Sequence, residues 1–231
     1  KYSIDQIGEY FFIDPSKKVI NGEEVKNFNL HLQTLNYLMD RNSLIVGEPG
    51  FGKTTSAKVL SSTLSGYPFD MYEAAQIQGH PEQTIEKWMA RPDYGSLMDK
   101  QERVIWQMAA YFPAIIVDEL NRLPAGKQDE LLNPIETGRF TYMNDSIFTG
   151  KKPFYATANH PDDGNHIIIP PLADRFDICL ETGHIGAIYR SMIRDCRDNI
   201  ESDLVDGEIT KDIINVINNK AMNYQDQLKK I

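Results

Sequence analysis

The stretch that most constrains the fold is Ser43-Leu44-Ile45-Val46 running directly into Gly47-Glu48-Pro49-Gly50-Phe51-Gly52-Lys53-Thr54. Two glycines flank four residues ahead of Lys-Thr, the spacing of a phosphate-binding loop. Glycines let the backbone wrap an anion and turn its N–H groups inward, and the helix that follows adds its positive end. Lys53 is expected to reach the β- and γ-phosphates of a nucleotide and the Thr54 hydroxyl to ligate magnesium. The nucleotide cradle runs from Gly47 through Glu48, Pro49, Gly50, Phe51, Gly52, Lys53 and Thr54 to Thr55. Because the loop follows a strand pattern and opens a helix pattern, Thr55 to Leu64, its context fits.

The same alternation continues along the chain. Ala114-Ile115-Ile116-Val117 ends in Asp118-Glu119, Phe154-Tyr155-Ala156-Thr157 ends at Asn159, and Phe176 to Leu180 closes the series, with a helical pattern from Lys127 to Glu136 between. Short apolar β-branched runs are the mark of strands buried on both faces of a parallel sheet. Strands alternating with helices predict an α/β fold, a three-layer αβα nucleotide-binding core with a parallel sheet. Ligands of such sheets bind beyond the carboxyl ends of the strands, where these polar residues fall. Phe69 to Tyr111 is longer than a crossover needs and predicts an inserted element. Phe140 to Met143 and Ser146 to Thr149, around Asn144-Asp145, predict a β-hairpin insert. Strand patterns stop after Glu181. At about 150 residues per domain, 231 residues make one full domain and part of another. We therefore expect a core over 1–180, with an N-terminal extension over 1–30, and a short partial helical lid over 181–231.

Asp118-Glu119 resembles the second nucleotide motif: Asp118 would hold magnesium and Glu119 would activate the attacking water. Phosphoryl transfer asks little covalent help of a protein, so its parts are a cation clamp, a positioned nucleophile and charge stabilisation. Asn159 at the next strand end would orient that water. Arg175, in Leu172-Ala173-Asp174-Arg175-Phe176-Asp177, reads either as a surface ion pair with Asp174 or Asp177 or as an arginine finger inserted into a neighbouring subunit's site; the finger is favoured.

With these elements in order, the chain resembles the AAA+ ATPases over about residues 30–180. Asp118-Glu119-Leu120-Asn121-Arg122 and the Gln128 to Glu136 stretch are similar to the MoxR branch, which shares an insert and a hairpin with magnesium chelatases and MCM helicases. The resemblance implies Mg-dependent ATP hydrolysis with ATP and Mg2+ as cofactors, a hexameric ring of identical subunits, a helical lid and a protein client or adaptor. Three functions follow from it: a ring ATPase that remodels or activates a protein partner, an MCM-like DNA motor, and a nucleotide-dependent assembly module with little turnover. Family members carry a further arginine in a fuller lid; here fifty residues follow Glu181, and Arg190, Arg194 and Arg197 are the candidates for it.

Composition narrows the choice. The 24 basic and 33 acidic residues leave a formal charge of −9, which repels a phosphate backbone, so nucleic acid is the less favoured partner. Lys17-Lys18 and Lys151-Lys152 read as solvated surface. No apolar run is long enough to span a bilayer and the first thirty residues lack a signal pattern, so a cytoplasmic location is expected. His160, His166 and His184 lack metal-ligand spacing. Trp88, Met89 and Trp106 are expected to pack an insert helix, and Cys179 to be a small buried hydrophobe.

Overall fold

The computed structural model describes residues 2–11, 16–98, 100–160 and 166–182. In chain order its elements are α1 (Tyr2–Phe11), β1 (Lys17–Ile20), β2 (Glu23–Lys26), α2 (Phe28–Leu38), β3 (Asn42–Val46), α3 (Lys53–Ser65) and α4 (Phe69–Ala75). Then follow β4 (Ile77–Gln78), α5 (Ile85–Trp88), β5 (Ala90–Pro92), α6 (Tyr94–Met98), β6 (Val104–Trp106), α7 (Met108–Tyr111) and β7 (Ile115–Asp118). After a 3-10 turn at Leu120–Arg122 come α8 (Ala125–Asp129), α9 (Leu132–Thr137), β8 (Arg139–Tyr142), β9 (Asp145–Phe148), β10 (Phe154–Ala158), α10 (Pro170–Ala173) and β11 (Ile178–Glu181).

Among the described residues, five strands form one parallel sheet in the order β11-β3-β10-β7-β4. The three inner strands β3, β10 and β7 bury both faces, as the apolar runs require, while the edge strands β11 and β4 are partly exposed. Phe154 and Ala156 of β10, with Ile115 and Val117 of β7, face Trp88, Leu120, Ile135 and Phe140. Tyr155 and Ile116, one residue out of phase, face Ala57, Tyr72 and Ala75 of α3 and α4. The period of two thus distributes one strand between two helical layers, which is the three-layer αβα core expected.

The registers pair Ala158 and Glu181 with Val46, Val117 with Ala156, and Gln78 with Asp118. All strand ends therefore open on one edge, with Gly47, Gly79, Asp118-Glu119 and Asn159 along it.

Several expectations shift. The sheet has a fifth strand, β4, whose two residues are too short to show a pattern. The single helix expected over Lys127 to Glu136 is two, α8 and α9. Pro134 in the first turn of α9 lacks an N–H and disfavours helical geometry in the residue before it. The hairpin insert is β8–β9, but its two-residue turn is Met143-Asn144, and Asp145 pairs with Tyr142. A second hairpin, β1–β2, occupies the N-terminal extension. Lys152 is not solvated: it is buried, donating from Nζ to the carbonyls of Ala110 and Phe112 at 2.8 Å each beneath the Phe140 ring. Cys179 is exposed rather than buried. Trp88 and Met89 are buried as the insert meets the sheet, while Trp106 lies on strand β6. Of the lid expected over 181–231, residues from 183 onward, Arg190, Arg194 and Arg197 among them, lie outside the described residues, as does 161–165.

Candidate nucleotide site

The loop after β3 turns through Gly50 at φ 83° and Gly52 at φ 70°, left-handed positions that glycine adopts without penalty. A Cβ on Gly50 would meet nothing within 4 Å, so this glycine serves the turn and leaves its concave side open. α3 starts at Lys53, whose side chain folds back over the loop. Its Nζ donates to the carbonyls of Gly47 and Glu48 at 2.8 Å each and to Asn159 Oδ1 at 3.0 Å. Burial pulls the Lys53 pKa down, and the charges of Asp118, Glu119 and Glu48 work against that.

Asp118 ends β7 and gathers three donors. Oδ1 accepts from the hydroxyls of Thr54 and Thr157, the latter at 2.6 Å, and Oδ2 accepts from Gln76 Nε2 at 3.3 Å. Glu119 follows with φ 53° and ψ 50°, a left-handed conformation that costs a side-chain-bearing residue about 1–2 kcal/mol. Gly79 permits it: a Cβ there would stand 2.0 Å from the Glu119 carbonyl oxygen. The turn aims the Glu119 carboxylate across the site. Oε1 accepts from Asn159 Nδ2 at 3.0 Å, and Oε2 meets Arg122 Nε at 3.3 Å and Gln78 Nε2 at 3.5 Å.

Asn159 thus joins the two motifs, Oδ1 on Lys53 and Nδ2 on Glu119. Its own backbone is tied down by Asn121, whose Nδ2 donates to the Asn159 carbonyl at 2.9 Å. Buried Gln128 steadies the far side, donating to the Leu123 carbonyl at 2.8 Å and accepting from the Ile169 N–H at 2.9 Å.

Thr54, Asp118 and Gln76 also bear on magnesium. Thr54 and Asp118 are hard oxygen donors already in contact, the chemistry this cation selects. Beside them Gln76, whose Nε2 donates to Asp118 Oδ2, has its Oε1 buried without a hydrogen-bond partner among the described residues, an acceptor that water on a bound ion would satisfy. The residues fit the ion.

Lys53, Thr54, Asp118, Glu119 and Asn159 come together; Arg175 does not join them. It sits where α10 leads into β11, and Asn42 at the start of β3 donates from Nδ2 to its carbonyl at 2.7 Å. Gly47 follows the other end of β3, about 16 Å away at 3.3 Å per residue. Arg175 pairs with neither Asp174 nor Asp177. Its Nη2 meets Glu136 Oε2 at 2.6 Å, and Asp177 pairs with Arg41 at 3.3 Å. Sequence reading passed over Gln76, Gln78 and Thr157, whose roles emerge only when β4 and β10 flank β7.

Residues 42–176, more than half of the chain, match the family described as AAA domain (dynein-related subfamily). The chain belongs to this family. The matched span of this AAA domain begins at β3 and ends at Phe176, so it holds every residue of the network above. A solved structure from Cytophaga hutchinsonii, described as a "putative ATPase", superposes with a TM-score of 0.56 at 18% sequence identity. The likeness covers 83% of this chain and 55% of that one, so the AAA domain here spans about half of its structural neighbour, and at that identity the likeness is one of fold. No curated protein matches the chain. Among the described residues no helix is long and apolar enough to cross a membrane.

Proposed function

We propose that this AAA domain hydrolyses ATP with magnesium, in a ring whose neighbouring subunit completes each site, and spends the energy on remodelling a protein partner in the manner of the MoxR branch. The observation that carries the hydrolytic reading is the unbroken chain Lys53–Asn159–Glu119 beside Thr54–Asp118. It supplies a cation for the phosphates, a metal-binding pair and a carboxylate facing the polar group that would hold water.

Lys53 would neutralise the β- and γ-phosphates from its seat on the loop. Thr54 Oγ1 and Asp118 would hold magnesium, which supplies positive charge as the γ-phosphoryl group transfers. Glu119 would take a proton from water positioned by Asn159 Nδ2. In the present arrangement both Glu119 oxygens are engaged, so water enters by displacing Asn159, Arg122 or Gln78 from one of them.

Arg175 cannot reach this site from the opposite edge of its own sheet. An arginine finger at that position acts on the next subunit, which supports assembly into a ring; six copies is what the MoxR likeness implies. Protein remodelling rests on that likeness and on the charge of −9. The Lys151-Lys152 pair at the base of the hairpin does not support the DNA-motor reading, since Lys152 is buried and the β8–β9 turn is Met143-Asn144.

The test is steady-state ATP hydrolysis per subunit against protein concentration, with magnesium. A rate that climbs with concentration is expected; a constant rate overturns the shared site, and no turnover favours an assembly module. Glu119→Gln is expected to keep ATP binding and slow turnover about a hundredfold or more, since general-base terms supply about 10²–10⁴.

A further inference from the structure

Thr157 lies in β10, the central strand, fully buried, and its hydroxyl works in two directions. Oγ1 accepts the Glu119 backbone N–H at 2.9 Å and donates to Asp118 Oδ1 at 2.6 Å. A hydroxyl is a small group able to accept and donate at once. On the opposite side of β7, the Gly79 N–H donates to the Asp118 carbonyl at 2.7 Å. The left-handed turn at Glu119 is therefore clamped between two strands, and Thr157 is the side-chain half of the clamp.

We propose that Thr157 is a positioning residue for both carboxylates, setting Glu119 through its backbone and Asp118 through Oδ1; the inference rests on the hydrolytic reading above. Two physical points carry it. First, the strained turn needs an interaction that outweighs its cost, and the Glu119 N–H loses its partner if the hydroxyl is absent. A buried N–H so orphaned carries a penalty comparable with the strain itself. Relaxing φ at Glu119 swings its carboxylate away from Asn159. Second, Asp118 Oδ1 has two hydroxyl donors, but Thr54 is the one that turns to a metal. Once Thr54 ligates magnesium, Thr157 is the hydroxyl left to hold Asp118 in register. Two carboxylates with different tasks thereby share one orienting group, which couples metal loading to placement of the base.

The experiment uses the whole chain and three variants: Thr157→Val, which keeps the shape and removes the hydroxyl, Thr157→Ser, which keeps the hydroxyl, and Thr157→Ala. Binding of a fluorescent ATP analogue is titrated with magnesium and with EDTA, alongside kcat and KM. Thr157→Val is expected to bind the analogue in EDTA as wild type does. Its magnesium-dependent gain in affinity falls about tenfold or more, as when groups behind a metal ligand are lost. Its kcat at saturating ATP and magnesium falls about a hundredfold, the size of effect a small misplacement brings, while KM rises by no more than the lost magnesium gain. Thr157→Ser stays within about threefold of wild type, and Glu119→Gln combined with Thr157→Val loses clearly less than the product of the two single losses, because the path through Glu119 is shared while the path through Asp118 remains.

The proposal is overturned if Thr157→Val keeps kcat and the magnesium gain within about threefold, if Thr157→Ser is as damaging as Thr157→Val, or if the two losses multiply. Should the valine variant lose its cooperative melt, Thr157→Ala against Thr157→Ser decides by the same criteria. A wild-type protein that binds the analogue without turning it over overturns the hydrolytic reading alone; the magnesium arm, read without turnover, then decides for Thr157.

Discussion

Lys152 shows how far one side chain's setting departs from what its neighbours in sequence suggest. Beside exposed Lys151 it reads as half of a basic pair, yet it turns inward and joins the end of the insert, at Ala110 and Phe112, to the base of the β8–β9 hairpin. Desolvation lowers its pKa from 10.5 to about 8. The folded value lies below the unfolded one, so between about 8 and 10.5 the unfolded chain binds more protons and stability rises with pH. We expect the unfolding free energy of the wild type to gain on that of Lys152→Met as pH is raised through this window, in parallel urea melts; a constant difference would remove the burial penalty. Glu119 is the complementary case. Its proposed role as a base follows from Asp-Glu at a strand end, whereas its left-handed backbone is not legible there, because that conformation is held by Thr157 and Gly79 from segments distant in sequence.

At the scale of elements, the turns divide into those that tolerate a side chain and those that do not. Gly138 closes α9 at φ 70°, and a Cβ there would sit 1.9 Å from the carbonyl oxygen of Gly150. Gly150 has φ 79° but faces open space. Gly150→Ala should therefore cost only the left-handed penalty of about 1–2 kcal/mol. Gly138→Ala carries the same penalty plus a backbone collision and should cost clearly more, judged by thermal melts of the two variants side by side. Equal losses would show that the chain around α9 yields. The β1–β2 hairpin, absent from the expectations for 1–30, does carry a local signal: Asn21-Gly22 have φ 52° and 83°, the paired positive angles of a tight hairpin turn, and Asn-Gly is its strongest short mark. The Met143-Asn144 turn carries no such dipeptide, so the register of β8–β9 slipped by a residue in the reading. β11 likewise begins two residues later than its apolar run, at Ile178, because Asp177 is spent on the Asn42 N–H and Arg41.

Over the whole molecule, the site and the arginine stand on opposite edges of one sheet. A head-to-tail arrangement, in which one subunit's Arg175 edge meets the next subunit's loop edge, is the kind that closes into a ring. Arg175→Ala and Glu119→Gln should each lose turnover, the former by about 10³-fold or more if finger contributions elsewhere are a guide. Mixed in equal amounts they should recover activity, since about a quarter of adjacent pairs unite an intact Glu119 with an intact Arg175 under random mixing. Mixtures no more active than the separate variants would place Arg175 outside the neighbour's site and leave it to its ion pair with Glu136.

What the sequence by itself determined is local and periodic. The loop from Gly47 to Thr54, the buried strands, and the polar residue closing each of them follow from spacing along the chain, because a phosphate cradle and a doubly buried strand are each written in a few consecutive residues. Only the tertiary structure decided which strands are neighbours. Strand order sets Gln76 and Thr157 against Asp118 and Gly79 against Glu119, and the packing of α9 on the sheet sets Glu136 against Arg175. Those contacts join residues up to 42 positions apart, and their existence depends on sheet topology, a property that no window of sequence contains.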